Sequence, residues 1–98
     1  MIQNAGTQLI TADGVVGAAG TAVRIFAIHI LSGGGGAAVV SLKTGAVVGG
    51  AAWITETGTT STGKTFTYGT QGVSFPSGCF VDVDANTTSV AVTFNYGS

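Results

Sequence analysis

The stretch Gly58-Thr59-Thr60-Ser61-Thr62-Gly63-Lys64-Thr65 fits the phosphate-loop pattern G-x-x-x-x-G-K-[ST]. That chemistry uses backbone amides curled about phosphate, a lysine on the outer phosphates and a hydroxyl on Mg²⁺. It also needs a helix after the loop, because the helix N-terminus supplies part of the field. Here Thr65-Phe66-Thr67-Tyr68-Gly69 follows, and its alternation of threonine with aromatic residues predicts a strand. The chain has 98 residues, too few for the α/β fold that carries this loop. The segment therefore reads as a polar loop between strands, with no nucleotide bound.

Two further constellations invite a chemical reading. Asp82 and Asp84 stand two apart on a predicted strand and so share a face. Paired carboxylates can bind Ca²⁺ or divide acid–base duty, but no further oxygen ligand follows at a recognisable spacing. They read as a solvated strand edge beside the Ala85-Asn86 turn. His29 and Cys79 are the sole histidine and the sole cysteine. A nucleophilic arrangement would pair them with an acid, and a metal site would need more ligands than these two. His29 lies inside the most apolar stretch and reads as a histidine packed at an interface. No catalytic residue, cofactor or metal site is expected, and the chain is not expected to be an enzyme.

Arg24 and Glu56 each stand among uncharged neighbours. An arginine in an apolar strand costs free energy unless it is paired or reaches water. Pairing with an acid of its own or of a neighbouring subunit is one reading; a charge reaching solvent at a strand end is the other. Trp53, Tyr68, Phe75, Phe80, Phe94 and Tyr96 could form a sugar-stacking platform, though aromatic residues of a small β domain usually serve its core.

These side chains must be positioned by strands. Val and Ile total 18 residues against 4 for Leu and Met, a ratio that favours strand over helix. No glycine-free helical stripe appears. Seven to eight strands are expected, over Gly6–Thr11, Ala22–Ser32, Ala38–Lys43, Ala52–Thr57, Lys64–Tyr68, Gly72–Phe75, Cys79–Asp84 and Ser89–Tyr96. Turns are expected at Asp13-Gly14, Gly33 to Gly36, Pro76-Ser77-Gly78 and Ala85-Asn86-Thr87. This rhythm predicts an all-β fold, a small β-sandwich or jelly roll of 7–8 antiparallel strands in a single domain over 1–98. Ala22 to Ser32 is the strongest strand. It places Val23, Ile25, Ala27 and Leu31 on one alternation and Phe26, Ile28 and Ile30 on the other, which predicts burial on both faces. The second face would then meet a loop, another subunit or a different protein.

Composition bounds the function. Charged residues are 7% of the chain, where soluble domains average about 25%. Three Lys and Arg cannot neutralise a run of phosphates, so nucleic acid is not an expected partner, and no polybasic face serves a membrane surface. The longest apolar stretch, Val15 to Leu31, is interrupted by Arg24 and His29 and broken by Gly17 and Gly20, so no membrane span is expected. Met1-Ile2-Gln3-Asn4 shows no signal-peptide pattern, which makes the cytoplasm the expected place of assembly. One cysteine excludes a disulfide within the chain. A lone domain stays soluble by surface charge; here charge is scarce, and neighbours are expected to cover the surface instead.

From Val23 to Asn95 a series of strands and glycines follows in order: Val23-Arg24-Ile25-Phe26-Ala27-Ile28-His29-Ile30, a glycine turn, and Val39-Val40-Ser41-Leu42-Lys43. The series continues with Tyr68-Gly69-Thr70-Gln71-Gly72-Val73-Ser74-Phe75, Ser77-Gly78-Cys79-Phe80-Val81-Asp82-Val83-Asp84 and Val90-Ala91-Val92-Thr93-Phe94. In these features the sequence resembles small virion proteins of tailed bacteriophages, especially marine ones. The resemblance implies a capsid cement or decoration protein. Such a protein is a β-sandwich on the outer surface of the head shell, bound to the major capsid protein lattice and self-associating, often as a homotrimer. It would be assembled in the bacterial host cytoplasm and located in the virion. The residues expected at its interfaces are Arg24, Phe26, Ile28, Ile30, Trp53 and Glu56. The alternative is a receptor- or glycan-binding knob of a head or tail fibre, using the aromatic residues.

Overall fold

A computed structural model describes residues 6–45 and 49–97; the Met1 to Asn4 segment lies outside them. The strands are β1 (Gly6–Ile10), β2 (Gly14–Val15), β3 (Val23–Ser32), β4 (Val39–Thr44), β5 (Ala52–Thr57), β6 (Gly63–Thr67), β7 (Val73–Phe75), β8 (Cys79–Val83) and β9 (Thr87–Tyr96). They form two antiparallel sheets. One runs β1-β9-β3-β6, with β7 also paired to β3; the other runs β2-β8-β4-β5. The all-β sandwich expected from the sequence is the fold. The ninth strand is β2, a two-residue pairing of Gly14-Val15 with Val81 and Phe80, where the sequence signalled only a turn.

The core lies between the sheets. Val23, Ile25, Ile28 and Ile30 of β3 and Val90 and Val92 of β9 are fully buried, as are Val40 and Leu42 of β4 and Cys79 and Val81 of β8. Each bulky side chain kept from water contributes about 1.5–3 kcal/mol. Along β8 Cys79 and Val81 are buried and Val83, on the same alternation, is half-buried; along β9 Val90, Val92 and Phe94 are buried, while Tyr96 is exposed at the end of its strand.

Strand β3 departs from the expectation. Its register with β9 slips between Ile25 and Ala27, so Phe26 is an extra residue in a bulge. A bulge reverses the alternation beyond it. Val23 and Ile25 before the slip, and Ile28 and Ile30 after it, therefore all point into the core. Arg24, Ala27, His29 and Leu31 point outward. β3 is not apolar on two faces; it is one apolar face with a phase shift. Ile28 and Ile30, expected at an interface, are enclosed by the chain's own core and offer nothing to a partner.

The two edges of the sandwich are closed by polar bridges. At the β1/β2 edge the Gln8 side-chain amide donates to the Val15 carbonyl at 3.0 Å, and its Oε1 accepts from the Gly17 N–H at 2.7 Å. At the β5/β6 edge the Tyr68 hydroxyl donates to Glu56 Oε2 at 3.0 Å. The two ends differ in chemistry. One is built from loops 33–37, 58–62 and 84–87, knit by backbone bonds such as Ser32 N to Thr62 O and Gly33 N to Asn86 O. The other is aromatic. Phe75 and Tyr96 flank Val23 in register, and the Trp53 ring stacks on Phe75 at 5.1 Å.

Candidate functional site

The residues singled out for chemistry do not converge. His29 lies on the outer face of the five-stranded sheet, its Nδ1 2.7 Å from Thr65 Oγ1. Cys79 is fully buried in the opposite sheet. Asp82 is held by Lys43 Nζ at 2.8 Å. Asp84 Oδ1 accepts from the Asn86 N–H and the Thr87 hydroxyl, closing the turn. Among the described residues no group of three or more His, Cys, Asp or Glu could hold a metal ion. Among the described residues no helix is long and apolar enough to cross a membrane. The phosphate-loop pattern spans the β5–β6 loop and runs directly into strand β6. Its Lys64 ammonium lies 5.2 Å from the Phe66 ring centroid. Lys64→Ala is expected to leave both fold and assembly unchanged; detectable ATP binding by the native chain, lost in this variant, would revive the nucleotide reading.

Arg24 and Glu56 do not pair with each other. Arg24 Nη1 donates to the Gln71 carbonyl at 2.6 Å, and Glu56, half-buried on the inner side of edge strand β5, takes the Tyr68 hydroxyl. Burial, then the hydrogen bond and the charge of Glu56, raise the Tyr68 phenol above its ordinary 10.0. Burial pushes the Cys79 thiol from 9.0 up to about 12. Both groups hold their protons more tightly folded than unfolded. Their contribution to stability is therefore complete below about pH 9 and is lost as pH rises toward 12. The urea midpoint is expected to fall steadily above about pH 9, and Cys79→Val, which removes the thiol, should flatten that fall. A midpoint unchanged up to about pH 11 would contradict the assignment.

What the fold does bring together is a surface. Residues paired across antiparallel strands share a face. One cross-strand row on the outer side of the five-stranded sheet is Leu9, Ala91, His29 and Thr65; the next is Thr7, Thr93, Ala27 and Thr67. Neither row holds an Asp, Glu, Lys or Arg. Leu9 is 66% exposed and Leu31, in the row beyond, 38%. Of the expected interface residues, Arg24 and Phe26 sit half-buried toward the aromatic end of this sheet. Trp53, 50% exposed, sits at the same end of the other. Nothing local in the chain marks Leu9, Ala91, Thr65 or Thr67, because only the strand order makes them neighbours.

No protein-family model matches the chain, and no curated protein matches it. Its fold is similar to that of a chain in a solved structure of Bacillus endospore appendages, described as a novel family of disulfide-linked pili. The TM-score is 0.53 at 16% identity, covering 97% of this chain and 86% of that one. At that identity the likeness concerns the fold alone.

Proposed function

We propose that this chain is a non-enzymatic virion structural protein, a capsid cement protein that binds the outer surface of a bacteriophage head lattice and stabilises the shell. The observation that carries this reading is the outer face of the five-stranded sheet, two cross-strand rows of Thr, Ala, Leu and a single His. Such a face excludes water against a neighbour without burying unpaired charge. Repeated over a symmetric lattice, modest contacts add through avidity. The aromatic end, with Trp53, Tyr96 and Arg24, is assigned to the shell, and the hydroxyl-rich loop 58–62 at the other end faces outward. Particles lacking the protein should lose heat resistance and regain it when purified protein is added back. Trp53→Ala should fold normally and weaken attachment by about 2 kcal/mol, as for an aromatic anchor. Unchanged heat resistance in the depleted particles would overturn the reading.

A second reading, a subunit of an external fibre, has the fold likeness to the pilus chain in its favour. A disulfide-linked version is disfavoured, since the sole cysteine is enclosed in the core. Electron microscopy of intact particles separates the two readings: copies bound on the shell support cement, and copies confined to an external fibre support the second reading.

A further inference from the structure

The formal charges are divided by sheet. Arg24 and Lys64 belong to the five-stranded sheet, which holds no acid among the described residues. Glu56 and Asp82 belong to the four-stranded sheet, together with Lys43 and the flanking turn residues Asp13 and Asp84. Lys64 is in register with the inward Ile30, and Glu56 with the inward Val40. The outer faces therefore keep Arg24 without an acid on one side and Asp13, Asp82 and Asp84 against Lys43 on the other. The outer surface of the four-stranded sheet also carries a shallow groove of about 180 Å³ lined by Val39, Ser41, Asp82, Val83 and Asp84. Val39 is 39% exposed there. On the opposite face of the molecule, His29 is exposed and bonds through Nδ1 to Thr65, which leaves Nε2 for a partner, and Leu31 projects beside it.

The stacking of the sheets sets how two copies can meet. The edge bridges place β1 over β2 and the β6 edge over β5. Given the strand orders, β9 and β3 then lie over β8 and β4. A second copy displaced along the sheet normal brings its own β3 and β9 onto the β4–β8 surface of the first. We propose that the groove is occupied by the His29–Leu31 segment of a second copy of this chain, in a head-to-tail contact. Leu31 covers Val39, and His29 Nε2 donates to the carboxylates of Asp82 or Asp84. Charge decides the pairing: positive sheet meets negative sheet, whereas either sheet against its own kind sets like charges together. A contact between two different faces on opposite sides of a sandwich does not close, so copies form rows. This deepens the cement reading and rests on it, since such rows would run side by side along the shell.

The test uses purified protein without shells, by sedimentation velocity over a range of concentrations at low and high salt. The native chain should associate progressively, and less at high salt. His29→Glu should stay folded and associate at least about tenfold more weakly, a modest loss for a like-charge juxtaposition. Added at low ratio to the native chain, it should cap rows and shorten them. Val39→Lys should also associate poorly alone, and its mixture with His29→Glu should restore association, because each variant then offers a complementary face to the other. A native chain that stays monomeric, association that stops at a dimer, or His29→Glu behaving as native would each overturn the proposal. Shell binding measured separately keeps its failure distinct from failure of the cement reading, which needs only attachment to the head.

Discussion

Ile28→Asp is expected to unfold the protein outright. Ile28 is fully buried, in register with Phe66 on one side and Val92 on the other. Truncating such an isoleucine costs about 2–5 kcal/mol, and burying an unpaired carboxylate adds several more. Domains of this kind hold about 5–15 kcal/mol in total. Circular dichroism and the dispersion of amide resonances should both collapse. Leu31→Asp, three residues along the same strand but on its outer face, should keep both. The contrast follows from the bulge at Phe26 alone. A folded Ile28→Asp with Leu31→Asp unfolded would place the phase of β3 the other way round.

Gly72→Val is expected to be the most damaging glycine replacement outside the core strands. Gly72 has φ of 65° and lies against the bulge. A Cβ there would sit 2.7 Å from the Ile25 carbonyl oxygen and 2.9 Å from a ring carbon of Phe26. The carbonyl is backbone and has no rotamer by which to move aside. The left-handed conformation costs a side chain about 1–2 kcal/mol, and overpacking adds about 1–3 kcal/mol. A β-branched residue sits at the upper end of that range. Gly69→Ala is the control: its φ is 77°, but a Cβ there meets nothing within 4 Å, so only the conformational cost remains. Urea unfolding of the two variants should differ by about 2 kcal/mol or more; equal midpoints would mean that Gly72 does not hold the bulge.

The placement of the strands was legible in the sequence because turns and alternation are local. Cys79 to Asp84 and Ser89 to Tyr96 alternate without interruption, and their apolar alternation is the buried one at Cys79, Val81, Val90, Val92 and Phe94, with Val83 half-buried and Tyr96 exposed at the strand end. Ala22 to Ser32 misled because one inserted residue mimics a strand that is apolar on both sides. Val23 and Ile25 fall on one alternation and Ile28 and Ile30 on the other, yet all four share the core. No local signal marks the slip, since the bulge is fixed by distant chain: Tyr68 donates its N–H to the Phe26 carbonyl, and Gly72 packs beneath. β2 was missed because a two-residue pairing has no periodicity of its own. The contact face was hidden for a related reason. Thr65, Ala91 and Leu9 are unremarkable where they stand in the chain and become a surface only once β6, β3, β9 and β1 are set side by side. Trp53 and Arg24 were visible as isolated large or charged residues, and the fold places both at the aromatic end, whereas Glu56 is turned to an internal hydrogen bond with Tyr68.

A cryo-electron microscopy map of the intact particle that carries this protein tests its assignment to the head most directly. Sandwich-shaped density is expected on the outside of the shell at symmetry-related lattice positions, with the Trp53–Tyr96 end against the capsid. The same density at a fibre tip, or a shell with no copy bound to it, would contradict that assignment.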